Sequence, residues 1–350
     1  MNNIENTHLH QEIHQQPDLI RKLVSEPNES ILNLADQIRS REIKHVFIAA
    51  RGTSDNAGRY AQYLLGAHNR LVVTLATPSL FTIYRQPPEL SNTLVVGISQ
   101  SGKSPDIVSI LEEGNQQGAL TVAVTNYQNS DLGQAAKIVM DLSAGEEVSL
   151  AATKTYTAQL TYLALLSAAL NPSEQYLQDL ANLPQQVAET FALEEHIRKL
   201  VERYRYMTHC AVIGRGFNYA SAFEFSLKMK ELTYTIAEPY SSADFLHGPV
   251  ALVDRGFPVF VIAPSGKMSS EMTSTIKEVQ KRDAEVIILS DQADILSMSD
   301  QTLVLPGGVP EWLSPITAII PAQMFAMYLA NTRGIDVDNP RGLKKVTETW

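Results

Sequence analysis

Short apolar runs recur along the chain at a spacing that suits parallel strands. The first run, His45-Val46-Phe47-Ile48-Ala49-Ala50, is followed by a polar turn and then by a helical pattern from 57 to 66. Strands that are apolar at nearly every position are buried on both faces, and their alternation with helices is typical of a doubly wound parallel sheet. The pattern predicts an α/β fold, with strands in the first half at 45–50, 71–76, 93–98, 120–125 and 137–142.

A second series of the same kind follows in register with the first. Arg51-Gly52 corresponds to Arg215-Gly216, and Ser101-Gly102-Lys103 corresponds to Ser265-Gly266-Lys267; both pairs of landmarks are 164 positions apart. Two landmarks with one offset indicate a duplicated domain. We predict a helical lead-in at 1–33, a first domain at 34–195 and a second at 196–350 with a C-terminal tail, the polar stretch 171–204 being a helical connector.

Composition and charge narrow the classes of function. The 350 residues are 44% hydrophobic and carry a formal net charge of −10, which suits globular domains and gives no basic surface for nucleic acid. The N-terminus lacks the features of a secretory signal, and the apolar stretch 316–330 is too short to span a bilayer. The single cysteine, Cys210, is predicted to be a core thiol. We expect a cytoplasmic protein that binds neither nucleic acid nor membrane.

The loop after the third predicted strand carries neutral donors around a glycine. It belongs to the segment Gly97 to Ser104, which satisfies the nucleotide-binding pattern GxxxxGK[ST]. Three features weaken a triphosphate site: the strand is not the first of its domain, the second copy has Val261 in place of Gly97, and the acidic partner is at best Asp141. A glycine turn at a helix N-terminus also binds a single phosphate. We predict such a cradle at the carboxyl edge of the sheet, made of Thr53, Ser54, Ser99, Gln100, Ser101, Ser104 and Thr153.

A helical segment in the second half carries charged side chains on one face. Glu224, Lys228 and Glu231 fall at i, i+4 and i+7, and this spacing alone favours a solvated face of salt bridges. Pro239 is predicted to end the helical pattern and to lead into a loop that carries His247. A lone histidine is usually structural, but near a Glu and a Lys it becomes a candidate proton carrier.

The other histidines give no metal-binding pattern. His8, His10 and His14 in the lead-in have no cysteine or acidic cluster near them in the sequence. We therefore predict no metal, and we expect no cofactor.

Taken in order, these motifs resemble the sugar isomerase (SIS) domain family. From about Gln11 onward the chain is similar to the two-domain isomerase half of glutamine:fructose-6-phosphate amidotransferases. The resemblance implies two tandem doubly wound, flavodoxin-like domains, a sugar phosphate as the small-molecule partner, and a homodimer with shared active sites. It rests on Ser99-Gln100-Ser101-Gly102, Ala151-Ala152-Thr153-Lys154, the segment 227–231, His247-Gly248-Pro249 and the tail Pro340-Arg341-Gly342-Leu343-Lys344-Lys345.

The resemblance also implies a role for each site residue. Ser99, Gln100, Ser101, Ser104 and Thr53 or Ser54 would hold the phosphate. Glu231 would move a proton between C1 and C2, and Lys228 would polarise the oxygens on these carbons. His247 would assist ring opening from the neighbouring subunit, and Lys345 would meet the open-chain carbonyl.

Departures from the amidotransferase pattern favour a narrower function. The chain begins where a glutaminase domain would end, so we expect no release of ammonia from glutamine. Ala152 replaces a substrate-contacting serine, Asp55 replaces an aromatic residue, and Lys103 and Leu246 also differ. These features resemble stand-alone deaminases that convert glucosamine 6-phosphate to fructose 6-phosphate and ammonia. A fructosamine-6-phosphate deglycase, a galactosamine-6-phosphate deaminase and a non-catalytic sugar-phosphate sensor are the alternatives.

Overall fold

The structure is a computed structural model that describes residues 4–26 and 29–345. The predicted lead-in and the predicted second domain each extend beyond these residues, at 1–3 and 27–28 and at 346–350. The chain opens with a 3-10 turn and three helices: α1 (His8–His14), α2 (Gln16–Ser25) and α3 (Glu29–Ser40).

The first half forms one parallel sheet, and each of its five strands was predicted to within one residue. Its strands are β1 (His45–Ala50), β2 (Val72–Leu75), β3 (Thr93–Ile98), β4 (Leu120–Thr125) and β5 (Ile138–Asp141), and its helices are α4 (Gly52–Asn69), α5 (Ser79–Thr82), α6 (Pro105–Gln116), α7 (Asp131–Ala135) and α8 (Lys154–Leu170). The spatial order is β2-β1-β3-β4-β5, so the winding reverses between β1 and β3. Side chains from strands and helices, including Phe47, Val95 and Ile107, form the core on one face.

The second half repeats this topology. Two helices lead into it, α9 (Glu174–Glu189) and α10 (Glu194–Leu200), as predicted for the connector. The strand order is β10-β9-β8-β6-β7, which is the first order read from the opposite edge. The duplication predicted from the offset is therefore confirmed. The elements are β6 (His209–Gly214), α11 (Tyr219–Thr233), β7 (Ile236–Ser241), α12 (Ser242–Leu246), β8 (Pro258–Ile262), α13 (Ser269–Gln280), β9 (Glu285–Ser290), α14 (Ala293–Leu296), β10 (Gln301–Val304) and α15 (Ser314–Thr332).

The chain divides into two compact units whose segments alternate along the sequence. The first-sheet unit comprises Asp18–Glu147, Lys154–Ala181 and, in the described tail, Lys344 and Lys345; the second-sheet unit comprises the described residues up to Pro17 together with Val148–Thr153 and Asn182–Leu343. Helix α1 therefore belongs with the second sheet. The boundaries 34–195 and 196–350 stay a prediction.

Two local predictions were wrong. Residues 51–56 were predicted as a turn, but α4 already begins at Gly52. The segment around Pro239 was predicted to lead into a loop, but it forms β7, because α11 has already ended at Thr233 with Tyr234 in the left-handed conformation, at φ 57°. Strand β7 is an edge strand that pairs only with β6, so a proline without an N–H group is tolerated there.

Two composition-based expectations can be compared with the structure. Cys210 is buried within β6, and burial raises the pKa of its thiol to about 12, as expected for a core thiol. In residues 4–26 and 29–345, no helix combines the length and the apolar character needed to cross a membrane.

Candidate active site

Six of the seven predicted phosphate ligands lie in the first-sheet unit, just after the ends of strands β1 and β3. Thr53 and Ser54 are in the first turn of α4, which follows β1, and the other four lie between β3 and α6. Ala50 pairs with Ile98 at the ends of β1 and β3, so these two loops start side by side. They flank the point where the strand order reverses, which is where ligands bind in open α/β sheets.

The loop between β3 and α6 is held in place by its own backbone and by β4. Gly102 has φ 64°, and a Cβ at this position would lie 2.0 Å from the Ser130 hydroxyl oxygen, so the tight turn requires glycine. The Gly102 N–H donates to Ser99 Oγ at 3.2 Å, and the Gln100 carbonyl accepts from the Asn126 N–H at 3.1 Å. The loop is thus fixed before any ligand binds.

Several donors of this loop have no acceptor in the described part of the chain. The backbone N–H groups of Gln100 and Ser101 are among them. Ser104 occupies the N-cap position of α6, but its hydroxyl caps none of the helix N–H groups. A helix N-terminus with unused N–H and hydroxyl donors is a site for a single anion.

One carboxylate lies close to this loop and is neutralised. Asp106, in the first turn of α6, is fully buried and accepts from Nε and Nη2 of Arg51, each at 2.8 Å. The pattern GxxxxGK[ST] does not describe this loop, because Gly97 lies inside β3 and a Cβ there would come within 2.7 Å of Leu111. The glycine serves strand–helix packing, and only residues 99–104 form the turn.

Two residues of the predicted phosphate cradle, Ser54 and Thr153, form hydrogen bonds to other parts of the protein. The buried Ser54 hydroxyl accepts from Nε2 of Gln159, on α8, at 3.0 Å. Thr153 is fully buried in the second-sheet unit, where its carbonyl accepts from Gln323 Nε2 at 3.4 Å. Sequence reasoning missed Gln159, because nothing in the apolar pattern of α8 distinguishes a glutamine that faces a strand end.

The charged face of α11 is buried, so the predicted solvated face is wrong. Glu224 and Lys228 are 0% exposed and Glu231 is 20% exposed. Lys228 Nζ lies 2.5 Å from Glu231 Oε2 and 3.4 Å from Glu224 Oε1. Helix α11 packs against β6, β7 and α15, which encloses Glu224 and Lys228 and leaves only Glu231 partly open to solvent. A buried ammonium between two carboxylates holds the partly exposed Glu231 in one orientation.

His247 and Lys345 have contrasting surroundings. His247 ends α12 and is exposed, and its ring makes no hydrogen bond within residues 4–26 and 29–345. Lys345 Nζ lies 3.4 Å from Oε2 of Glu147, which is 2% exposed. The Glu147 carboxylate also accepts from the N–H and the hydroxyl of Thr155, at 3.1 and 2.7 Å, and so caps the first turn of α8.

The family model described as SIS domain matches this chain twice, at residues 41–169 and 207–333. The chain belongs to the SIS domain family. It is 33% identical over 339 residues to a glutamine–fructose-6-phosphate aminotransferase (isomerizing) of Aquifex aeolicus, an alignment that covers 95% of this chain and 56% of that protein. The chain therefore spans little more than half the length of this relative.

Solved structures of the SIS family share the fold. The C-terminal domain of the glucosamine-fructose-6-phosphate aminotransferase from Francisella tularensis has a TM-score of 0.86 at 28% identity, covering 96% of this chain and 98% of that one. The glucosamine-6-phosphate deaminase from Thermotoga maritima has a TM-score of 0.78 at 21% identity, covering 98% of this chain and all of that one, a likeness of fold alone.

In the second SIS repeat, two carboxylates accept hydrogen bonds from the donors of the corresponding loop, which lies between β8 and α13. Ser265, the counterpart of Ser101, donates its N–H to Asp291 Oδ1 and its hydroxyl to Asp291 Oδ2, both at 2.6 Å. The Lys267 N–H donates to Glu311 Oε2 at 3.0 Å. In the first repeat the residue directly after β4 is the neutral Asn126, whose amide binds the backbone at Gly145 and Ala144 instead. The two repeats share a topology but differ in whether the loop can receive an anion.

Proposed function

We propose that this chain converts glucosamine 6-phosphate and water to fructose 6-phosphate and ammonia. The observation that carries the proposal is the contrast between the two repeats: the loop of the first presents unused donors, and the loop of the second is filled by Asp291 and Glu311. A serine-rich loop at a helix N-terminus suits one phosphate monoester. The substrate phosphate accordingly binds in the first repeat.

The proton transfer is assigned to Glu231. In the open-chain aldehyde the amine is on C2. Transfer of the C2 proton to C1, with O1 gaining a proton as the amine nitrogen loses one, gives the ketimine of fructose 6-phosphate. Water then adds to the C2–N double bond, and ammonia leaves as the C2 ketone forms. The carboxylate that takes the proton must return it, which requires a fixed side chain that is ionised at the start. The contact of Glu231 with Lys228 at 2.5 Å supports the fixed orientation.

The remaining roles follow the family resemblance. Lys228 polarises the oxygen at C1 of the aldehyde and the oxygen at C2 once the ketone has formed. Lys345 meets the open-chain carbonyl, and His247 assists ring opening in the site of a partner subunit. The exposure of His247 is consistent with a role outside its own subunit.

A panel of substrates tests the proposal. Free ammonia and the ketose phosphate are measured with glucosamine 6-phosphate, galactosamine 6-phosphate, a fructosamine 6-phosphate and unphosphorylated glucosamine. We expect both products from glucosamine 6-phosphate and none from glucosamine. Turnover of galactosamine 6-phosphate or of the fructosamine alone would reassign the substrate within the family. Tight binding of the sugar phosphates with no turnover would indicate a sensor and contradict the enzyme.

A further inference from the structure

Two histidines of the lead-in and a glutamate of the connector meet within the second-sheet unit. His10 and His14 are one turn apart on α1, and Glu194 opens α10. His10 Nε2 lies 3.1 Å from Glu194 Oε1, and His14 Nε2 lies 3.2 Å from Glu194 Oε2. One ligand atom from each residue lies within 4.8 Å of the other two.

The hydrogen bonds of His14 define which ring nitrogen has a free lone pair. His14 Nδ1 lies 2.8 Å from the His10 carbonyl oxygen, which can only accept, so Nδ1 carries the hydrogen. In the neutral ring Nε2 then turns a lone pair toward the Glu194 carboxylate. Two acceptors 3.2 Å apart require a cation between them, either a proton on Nε2 or a metal ion. A backbone carbonyl that fixes the far nitrogen of a histidine is the usual outer partner of a metal ligand.

The rings of the two histidines pack against each other and against an aromatic side chain. The two rings stack with centroids 4.0 Å apart, and His14 also packs against Phe191. Burial and the neighbouring His14 lower the pKa of His10, although Glu194 and Glu5 act in the opposite direction. The neutral imidazole is the form that binds a metal ion.

Two further side chains, Tyr328 and Arg198, hold the Glu194 carboxylate in place. Tyr328 donates its hydroxyl to Glu194 Oε1, and Arg198 Nη2 donates to the Tyr328 oxygen at 3.3 Å. Although burial opposes ionisation, the hydrogen bond from Tyr328 helps to hold the pKa of Glu194 below its ordinary value. The carboxylate is therefore ionised at neutral pH and oriented toward both rings.

We propose that His10 Nε2, His14 Nε2 and the Glu194 carboxylate bind one divalent transition-metal ion, with Zn²⁺ as the reference ion. Two imidazoles and one carboxylate form a donor set that suits Zn²⁺ and disfavours Mg²⁺ and Ca²⁺. In a tetrahedral zinc site, neighbouring ligand atoms are about 3.3 Å apart. The contacts of His10 and His14 have about this spacing, but to different oxygens of Glu194, and the three ligand atoms lie within 4.8 Å of one another. An ion would draw them together, and water would complete its coordination.

This site departs from the prediction that the chain binds no metal. Glu194 is 180 residues from His14 in the sequence, so only the fold brings the three ligands together. A bound ion would join α1 to α10 and stabilise the attachment of the lead-in. The proposal is independent of the catalytic function.

The test uses the full chain without a histidine tag, freed of metal by a chelator. Zn²⁺ binding is measured by calorimetry, Co²⁺ binding by its visible absorption, and the midpoint of thermal unfolding with and without Zn²⁺. His14→Asn and Glu194→Gln remove one ligand each, and His8→Asn changes the exposed histidine of the same helix as a matched control. Circular dichroism establishes that each variant is folded.

We expect one Zn²⁺ per chain, with affinity that weakens from pH 7.5 to pH 5.5 as the histidines become protonated. His14→Asn and Glu194→Gln should each weaken binding at least about 100-fold and abolish the thermal shift, and His8→Asn should leave both unchanged. The proposal is overturned if wild-type protein binds no Zn²⁺, or if the folded ligand variants bind it as wild type does. Should one variant fail to fold, the other decides.

Discussion

We expect substrate affinity to depend most on the donors of the loop between β3 and α6, which includes Ser101. Ser101 is replaced by alanine, and the matched control is Ser265→Ala, at the corresponding position of the second repeat. A hydrogen bond to a charged group contributes about 1.5–3 kcal/mol, so Ser101→Ala should weaken binding of glucosamine 6-phosphate about 10- to 100-fold. Ser265 binds Asp291, and its loss should leave substrate affinity unchanged. Equal effects of the two variants in calorimetric titrations would contradict the assignment of the phosphate to the first repeat.

We expect Lys228 to matter for stability as well as for the proposed catalysis. Lys228→Met leaves the Glu224 carboxylate, which is 0% exposed, without its ammonium partner. Breaking a buried ion pair from one side costs about 3–5 kcal/mol, and the free energy of unfolding in urea should fall by that amount. Lys230→Met, which changes an exposed neighbour paired with Glu238, is the control and should cost under about 1 kcal/mol. A small change in the free energy of unfolding for Lys228→Met would mean that Glu224, Lys228 and Glu231 are solvated.

The sequence predicted which residues of the site carry charge but not their burial. The spacing of Glu224, Lys228 and Glu231 is the same in a solvated helix face and in a buried one. The difference arises because α11 is enclosed by β6, β7 and α15, and the partners of a helix are not encoded in its own periodicity. Nor could the sequence predict that carboxylates bind the donors of the loop between β8 and α13, because Asp291 and Glu311 are 26 and 44 residues from the groups they bind.

Among the strands, the central ones of the first sheet were predicted with exact bounds, and the edge strand β7 was not predicted. The strands β1, β3 and β4 begin and end where the apolar runs do, because both faces of a central strand are covered. Strand β7 escaped prediction because an edge strand needs neither a continuous apolar run nor every N–H, and Pro239 was therefore taken as the end of the pattern.

Strand β9 is tied to the connector by an ion pair that should make stability depend on pH. Arg203 Nε donates to Glu285 Oε1 at 2.7 Å, and this bond with a further one from Tyr204 holds the pKa of Glu285 below its ordinary 4.5. A lowered carboxyl pKa contributes stability above pH 4.5 that is lost as the pH falls below it.

In urea titrations between pH 7 and pH 3, Glu285→Gln should lose stability at neutral pH and show a shallower decline on acidification than wild type. Glu238→Gln, at an exposed position, provides the comparison. Parallel pH profiles for wild type and Glu285→Gln would show that this pair contributes nothing.

For the whole molecule, the proposed dimer with shared sites predicts complementation between inactive variants. Glu231→Gln and His247→Asn are each expected to be inactive as pure proteins. If each site takes Glu231 from one subunit and His247 from the other, a mixed dimer keeps one intact site. Mixing equal amounts after subunit exchange should therefore restore about a quarter of wild-type activity. No recovery, in a mixture that forms dimers by light scattering, would place both residues in one subunit's site.

The duplication gives the molecule two copies of one topology with different chemistry. The first leaves donors unused in the loop beside the switch point between β1 and β3, and the second satisfies the corresponding loop with its own carboxylates. Fold class and duplication could be predicted from the apolar runs and a constant offset. The difference between the loops of the two repeats could not be predicted, because it depends on which side chains contact each loop in the folded protein.

Ammonia release from glucosamine 6-phosphate by wild type, Glu231→Gln and the control Glu238→Gln tests the central claim most directly. We expect release with wild type and Glu238→Gln, and a loss of about 100- to 10,000-fold in kcat with Glu231→Gln while substrate still binds, because a general base is removed and the phosphate loop is not. Release that persists in Glu231→Gln, or none from wild type despite tight binding of the substrate, would contradict it.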